Sequence, residues 1–138
     1  MDQSSLVAPV MALVLWTLVI WVWMYATRIP AMQRAKIDPQ AAARARTLAL
    51  EPEVMFVSDN YNHLMEQPTI FYAAALAAQV AGLADPMNVG LAWAYVMLRI
   101  VHSLIQCTVN VVMARFVVFS LSTIVLCVMA VRVALAVF

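Results

Sequence analysis

Arg99, His102, Gln106 and Asn110 follow one another at spacings of three, four and four residues. On a helix of about 3.6 residues per turn, those spacings put all four side chains on one narrow stripe. Most of the positions between them, among them Ile100, Val101, Leu104, Ile105 and Val109, are apolar, so this is a single polar face and it should point inward. An earlier set, Asp59, Asn62, His63 and Glu66, repeats the three-to-four spacing, and Arg115 follows closely after the later stripe. Such a constellation can hold a polar anion. Arg99 and Arg115 would offer charge-assisted donors to a carboxylate or a thiolate. Asn62, His102 and Gln106 would orient it, and Glu66 would accept from an ammonium or pair with Arg99. The same residues also suit a purely structural role, a Glu66–Arg99 ion pair plus interhelical hydrogen bonds that staple helices together. Arg115 and Arg132 each also fit a snorkelling arginine near a membrane face.

Other chemistries find no support. There is no GxSxG, HExxH or phosphate-binding loop, and His63 and His102 are too few for a metal site. Cys107 and Cys127 lie in apolar runs without metal-ligand or CxxC spacing and read as reduced, buried side chains. His63 reads as lining or capping the polar end of its helix.

The elements that must carry these residues are set by composition. Of 138 residues 66% are hydrophobic and 11% charged, and the mean hydropathy is +0.92. A soluble domain needs about a quarter of its residues charged. Lipid is therefore the missing solvent, and the chain reads as one all-α integral membrane domain, residues 1–138, of four transmembrane helices. The net charge of +1 offers no basic stripe for phosphates, which argues against a nucleic-acid partner.

Four helices are predicted, over about residues 6–27, 53–81, 89–113 and 115–138. The first apolar run, Leu6–Ala26, is longer than a signal peptide's, lacks a basic start (Asp2 is the only early charge), and reads as a retained span. The Arg28-Ile29-Pro30 stretch should stop or kink it. The segment Arg28–Glu53 holds five of the eight basic residues, Arg28, Arg34, Lys36, Arg44 and Arg46, and is assigned to the cytoplasm. Asp38-Pro39 predicts the start of a short helix over Gln40–Leu50. Pro68 predicts a kink in the second long helix, and Asp85-Pro86 a tight turn. Both termini then lie outside, and the compact loops suggest a bacterial inner membrane.

Three groups of residues carry a family likeness. Asn62, Glu66 and Pro68 form an Asn-Glu-Pro constellation early in the second helix. Arg99 and His102 stand three apart on the third, and Arg115 comes sixteen residues after Arg99. In these features, and in span lengths over almost the whole chain, the protein resembles the MAPEG superfamily, the membrane-associated proteins in eicosanoid and glutathione metabolism, and is similar there to microsomal glutathione transferases. The resemblance implies a homotrimer of four-helix subunits that binds glutathione as co-substrate between neighbouring subunits, near the cytoplasmic face. It implies that Asn62, Glu66, Arg99, His102 and Gln106 bind the tripeptide and that Arg115 is catalytic, activating the thiol. Gln106 stands where the prostaglandin-forming branch has tyrosine, Phe119 where a later tyrosine occurs, and Tyr61 where an arginine commonly precedes the asparagine.

Two functions follow. One is a glutathione-dependent transferase or peroxidase acting on lipophilic electrophiles that arrive through the bilayer. The other is a non-enzymatic structural or accessory subunit of a membrane complex, favoured by the missing tyrosines.

Overall fold

The computed structural model describes residues 5–138; Asp2 and the rest of the first four residues lie outside it. The described chain forms six helices: α1 (Val7–Arg34), α2 (Pro39–Ala45), α3 (Pro52–Glu66), α4 (Pro68–Val80), α5 (Pro86–Cys107) and α6 (Val112–Val137). Three of them, α1, α5 and α6, are long and apolar enough to cross a membrane.

α1 buries Val10, Leu13, Thr17, Ile20, Met24 and Ala31, a row of three-, four- and finally seven-residue steps, and packs on α3, α4 and α5. α6 buries Ser122, Leu126, Met129 and Val133 on the same periodicity and lies chiefly along α5. The faces turned away from the core are apolar too. Leu15, Leu18, Val19 and Val22 on α1, and Leu121, Ile124, Val128 and Val131 on α6, are all exposed. A water-soluble bundle would carry charge on those faces, so hydrocarbon must cover them. The protein is an integral membrane protein.

Five helix ends depart from expectation. Pro30 neither ends α1 nor starts a loop; the helix runs on through it to Arg34, about 42 Å in all at about 1.5 Å per residue. Asp38 caps α2 as expected, accepting from the Gln40 amide, but α2 closes at Ala45, where Arg46 takes the left-handed conformation at φ 53°. Asp85-Pro86 repeats the Asp-Pro device as the cap and first position of α5, so that helix starts three residues before Val89. α5 stops at Cys107 because Thr108 bonds back to the Leu104 carbonyl and Asn110 turns left-handed at φ 48°. α6 starts at Val112 and carries Arg115 in its first turn.

Between α3 and α4, Gln67 has φ −62° and ψ −37°, so the backbone stays helical from Pro52 to Val80. The break is the missing amide of Pro68.

At the far end of α6, Arg132 does more than snorkel. Its Nε donates to Asn88 Oδ1 (3.1 Å) and its Nη2 to Asp85 Oδ2 (3.3 Å), tying the α4–α5 turn to α6. The Asp85 carboxylate is held below its ordinary value of 3.8, first by the Asn88 amide (2.8 Å) and then by Arg132. A depressed acid adds stability above its unfolded value and loses it as pH falls through the folded one. Thermal unfolding in detergent should therefore fall below about pH 4, and Asp85→Asn should flatten that part of the profile. An unchanged acid limb in the variant would show that this clamp contributes nothing.

Candidate functional site

The site is organised by α5, whose inward face buries Tyr95, Arg99, His102, Ser103 and Gln106. Arg99 is the largest fully buried side chain, 1% exposed. Its Nη2 donates to the His63 carbonyl (3.3 Å) and lies 3.4 Å from His63 Nδ1. Its Cζ sits 5.3 Å from the Phe119 ring centre and 5.8 Å from that of Tyr95, within cation–π range. Nε and Nη1 are buried without a partner among the described residues. No carboxylate among the described residues pairs with this charge. The Glu66–Arg99 ion pair does not form, because Glu66 lies on the exposed face of α3, and the one ion pair among the described residues is Arg132–Asp85.

His102 is buried beside Arg99, and its ring centre lies 5.0 Å from that of His63. The edge of His63 meets Phe119 at 5.2 Å. Around these rings opens a groove of about 170 Å³, lined by His63, His102, Val112, Arg115, Phe116 and Phe119. Arg115 is half-buried on its wall and donates from Nη1 to Asn110 Oδ1. The left-handed turn thus fixes the arginine that follows it. Chemically, the groove presents a guanidinium and two imidazoles against aromatic walls, which suits an anion attached to an apolar group. Among the described residues no third His, Cys, Asp or Glu joins the imidazoles as a metal-ligand set.

Two further polar links set the helices in register. Asn60 donates to Gln106 (3.0 Å) inside the bundle. Gln67 accepts from the Tyr95 hydroxyl (3.2 Å) and donates to Thr123 (2.9 Å), joining the α3–α4 junction to α5 and α6. Buried amides without these partners would cost about 1–3 kcal/mol each.

The family model of the MAPEG family matches residues 6–135, nearly the whole chain. The chain belongs to the MAPEG family. No curated protein and no solved structure matches it.

Within this MAPEG chain, Arg99, His102 and Gln106 come together on the buried face of α5, and His102 shares the groove with Arg115. Asn62 and Glu66 do not join them, since both lie on the exposed face of α3. Asn60, Tyr95 and Gln67 were not singled out by the polar spacing, and His63 turns out to be a wall of the groove. One sequence signal does find Asn60. It begins a row, Asn60, Leu64, Phe71, Ala75 and Ala78, whose steps of three and four (or seven) mark the inward face through both halves of α3–α4.

Proposed function

We propose that this MAPEG chain is a glutathione-dependent transferase or peroxidase for lipophilic electrophiles, working as a homotrimer of four-span subunits. The observation that carries the reading is the groove of His63, His102 and Arg115 set against Arg99, a buried guanidinium with two nitrogens unpartnered and no ion-pair partner among the described residues. An unpaired charge at membrane depth costs about 2.5–3.5 kcal/mol on insertion scales, and an anionic ligand offsets that cost. Glutathione, with two carboxylates and a thiol, is such a ligand, and family membership favours it.

In this reading α3 and α4 act together as the fourth crossing, since their shared helical path exceeds the roughly 30 Å hydrocarbon core. Asn62 and Glu66, exposed on the single chain, then face a neighbouring subunit. There Asn62 donates to the peptide and Glu66 accepts from its ammonium. Arg99, His102 and Gln106 hold the tripeptide from the α5 side, with Gln106 already committed to Asn60 through its oxygen. Arg115 stabilises the thiolate. Phe116 and Phe119 give the electrophile an apolar approach from the bilayer. The segment from Arg28 to Glu53 is cytoplasmic, both termini are outside, and the membrane is a bacterial inner membrane.

A second reading is a non-enzymatic structural or accessory subunit. The Asn60–Gln106 bond favours it, because a side chain of the stripe is satisfied inside the chain. The test is equilibrium binding of glutathione to detergent-purified protein, with Arg115→Ala alongside. Saturable binding in the millimolar range supports the enzyme. No binding at millimolar glutathione removes it, and recovery of the native protein with other subunits would then establish the accessory role.

A further inference from the structure

A second basic constellation lies away from the α5 groove, where α1 leaves the hydrocarbon. The chain has no charge from Leu6 to Ala26, and Trp21, Trp23 and Tyr25 mark the interfacial level near the end of that run. Arg28 follows at headgroup height. Because α1 continues through Pro30, Met32 projects one turn beyond it on the same face. α2 folds back beside these residues, and the left-handed Arg46 reverses the chain so that Leu48 comes alongside. The result is an open groove of about 320 Å³ whose lining brings apolar Met32, Pro39, Ala42 and Leu48 together with Arg28 and Arg46.

No acidic residue lines this groove. Arg28 spends one nitrogen on Ser58 Oγ (3.0 Å), and neither guanidinium has an ion-pair partner among the described residues. α2 itself has seven residues, none of them buried. Its ends are closed within the chain by the Asp38 cap and by the left-handed Arg46, and its faces stay open. Charge, an apolar lining and headgroup depth together select an amphiphile with a phosphate head.

We infer that the groove between the end of α1 and α2 binds an anionic phospholipid, with Arg28 and Arg46 holding its phosphate and Met32 and Leu48 its first acyl segments. This site is independent of the α5 groove and of any activity there. Polybasic contacts at a membrane surface contribute about fivefold in affinity per arginine, so two give roughly a thirtyfold preference for anionic over zwitterionic lipid.

The test is native mass spectrometry of the full chain released from micelles doped with phosphatidylglycerol or phosphatidylcholine. Phosphatidylglycerol should be retained about thirtyfold more strongly. The double variant Arg28→Gln/Arg46→Gln should lose that preference, whereas Arg34→Gln/Arg44→Gln, with the same change in charge, should keep it. Arg46→Gln alone, at an exposed position outside the bundle, should cost about fivefold and guards against a folding defect at Arg28. Equal retention of the two lipids would overturn the assignment. So would equal losses in the two double variants, which would mean diffuse surface attraction. Displacement of the lipid by comparable concentrations of inorganic phosphate would also overturn it, as the mark of a free-anion site.

Discussion

Replacing Arg115 by glutamine is expected to slow turnover of a lipophilic electrophile about twentyfold at neutral pH, with a smaller loss of glutathione affinity of about fourfold. A free thiol with a pKa of about 8.5 is only a few per cent ionised at pH 7. A guanidinium that lowers it by about two units, worth about 2.7 kcal/mol, makes most of it thiolate. Arg115 is placed for this by its bond to Asn110 and by its position on the groove wall beside His102. The loss should therefore fall mainly on kcat, where nucleophile formation counts, and raise KM for glutathione only about fourfold. It should also shrink as pH rises past about 9, where the thiol ionises unaided. The ultraviolet absorbance of bound thiolate reads the same quantity directly. A variant with a raised KM and an unchanged kcat, or with a loss independent of pH, would assign Arg115 to binding rather than to the thiol.

The second large effect is a trade of function for stability at Arg99. Arg99→Met should raise the unfolding free energy by about 2 kcal/mol, because an unanswered charge is exchanged for an apolar side chain of similar length. The same change should weaken glutathione binding about ten- to a hundredfold, the worth of a charge-assisted hydrogen bond. Thermal unfolding and equilibrium binding on one preparation measure both. If Arg99 is only a staple through His63, the variant will lose stability instead. A destabilised variant with intact binding is the result that contradicts the proposal.

The inward stripe of α5 is legible in the sequence because Arg99, His102 and Gln106 are costly in lipid and stand among apolar neighbours. Asn110 shares their spacing, but it tolerates a left-handed backbone and is spent on the turn. On α3 the same spacing marks a face that is open on the single chain. A helix end near the interface can present polar residues outward, so Asp59, Asn62 and Glu66 mark an exposed face there, while the buried face is read from Asn60, Leu64 and the alanines beyond. His63 sits at the edge between the two faces, half-buried, where periodicity alone does not assign it. The groove rests on a contact between α3, α5 and Phe119 of α6, which no pattern along one helix contains.

The turn of residues 108–111 has a consequence for biogenesis. Four residues leave little room for one helix to wait in the translocon while the other partitions, so α5 and α6 are expected to enter the membrane as a hairpin. α5, burdened by Arg99 and His102, is the least apolar of the three long helices, and α6 is the most. The later segment thus carries its reluctant predecessor across. Lengthening the turn with a flexible insert should uncouple them and leave α5 stranded at the surface, which glycosylation tags on either side would report; full insertion regardless of turn length would refute the dependence.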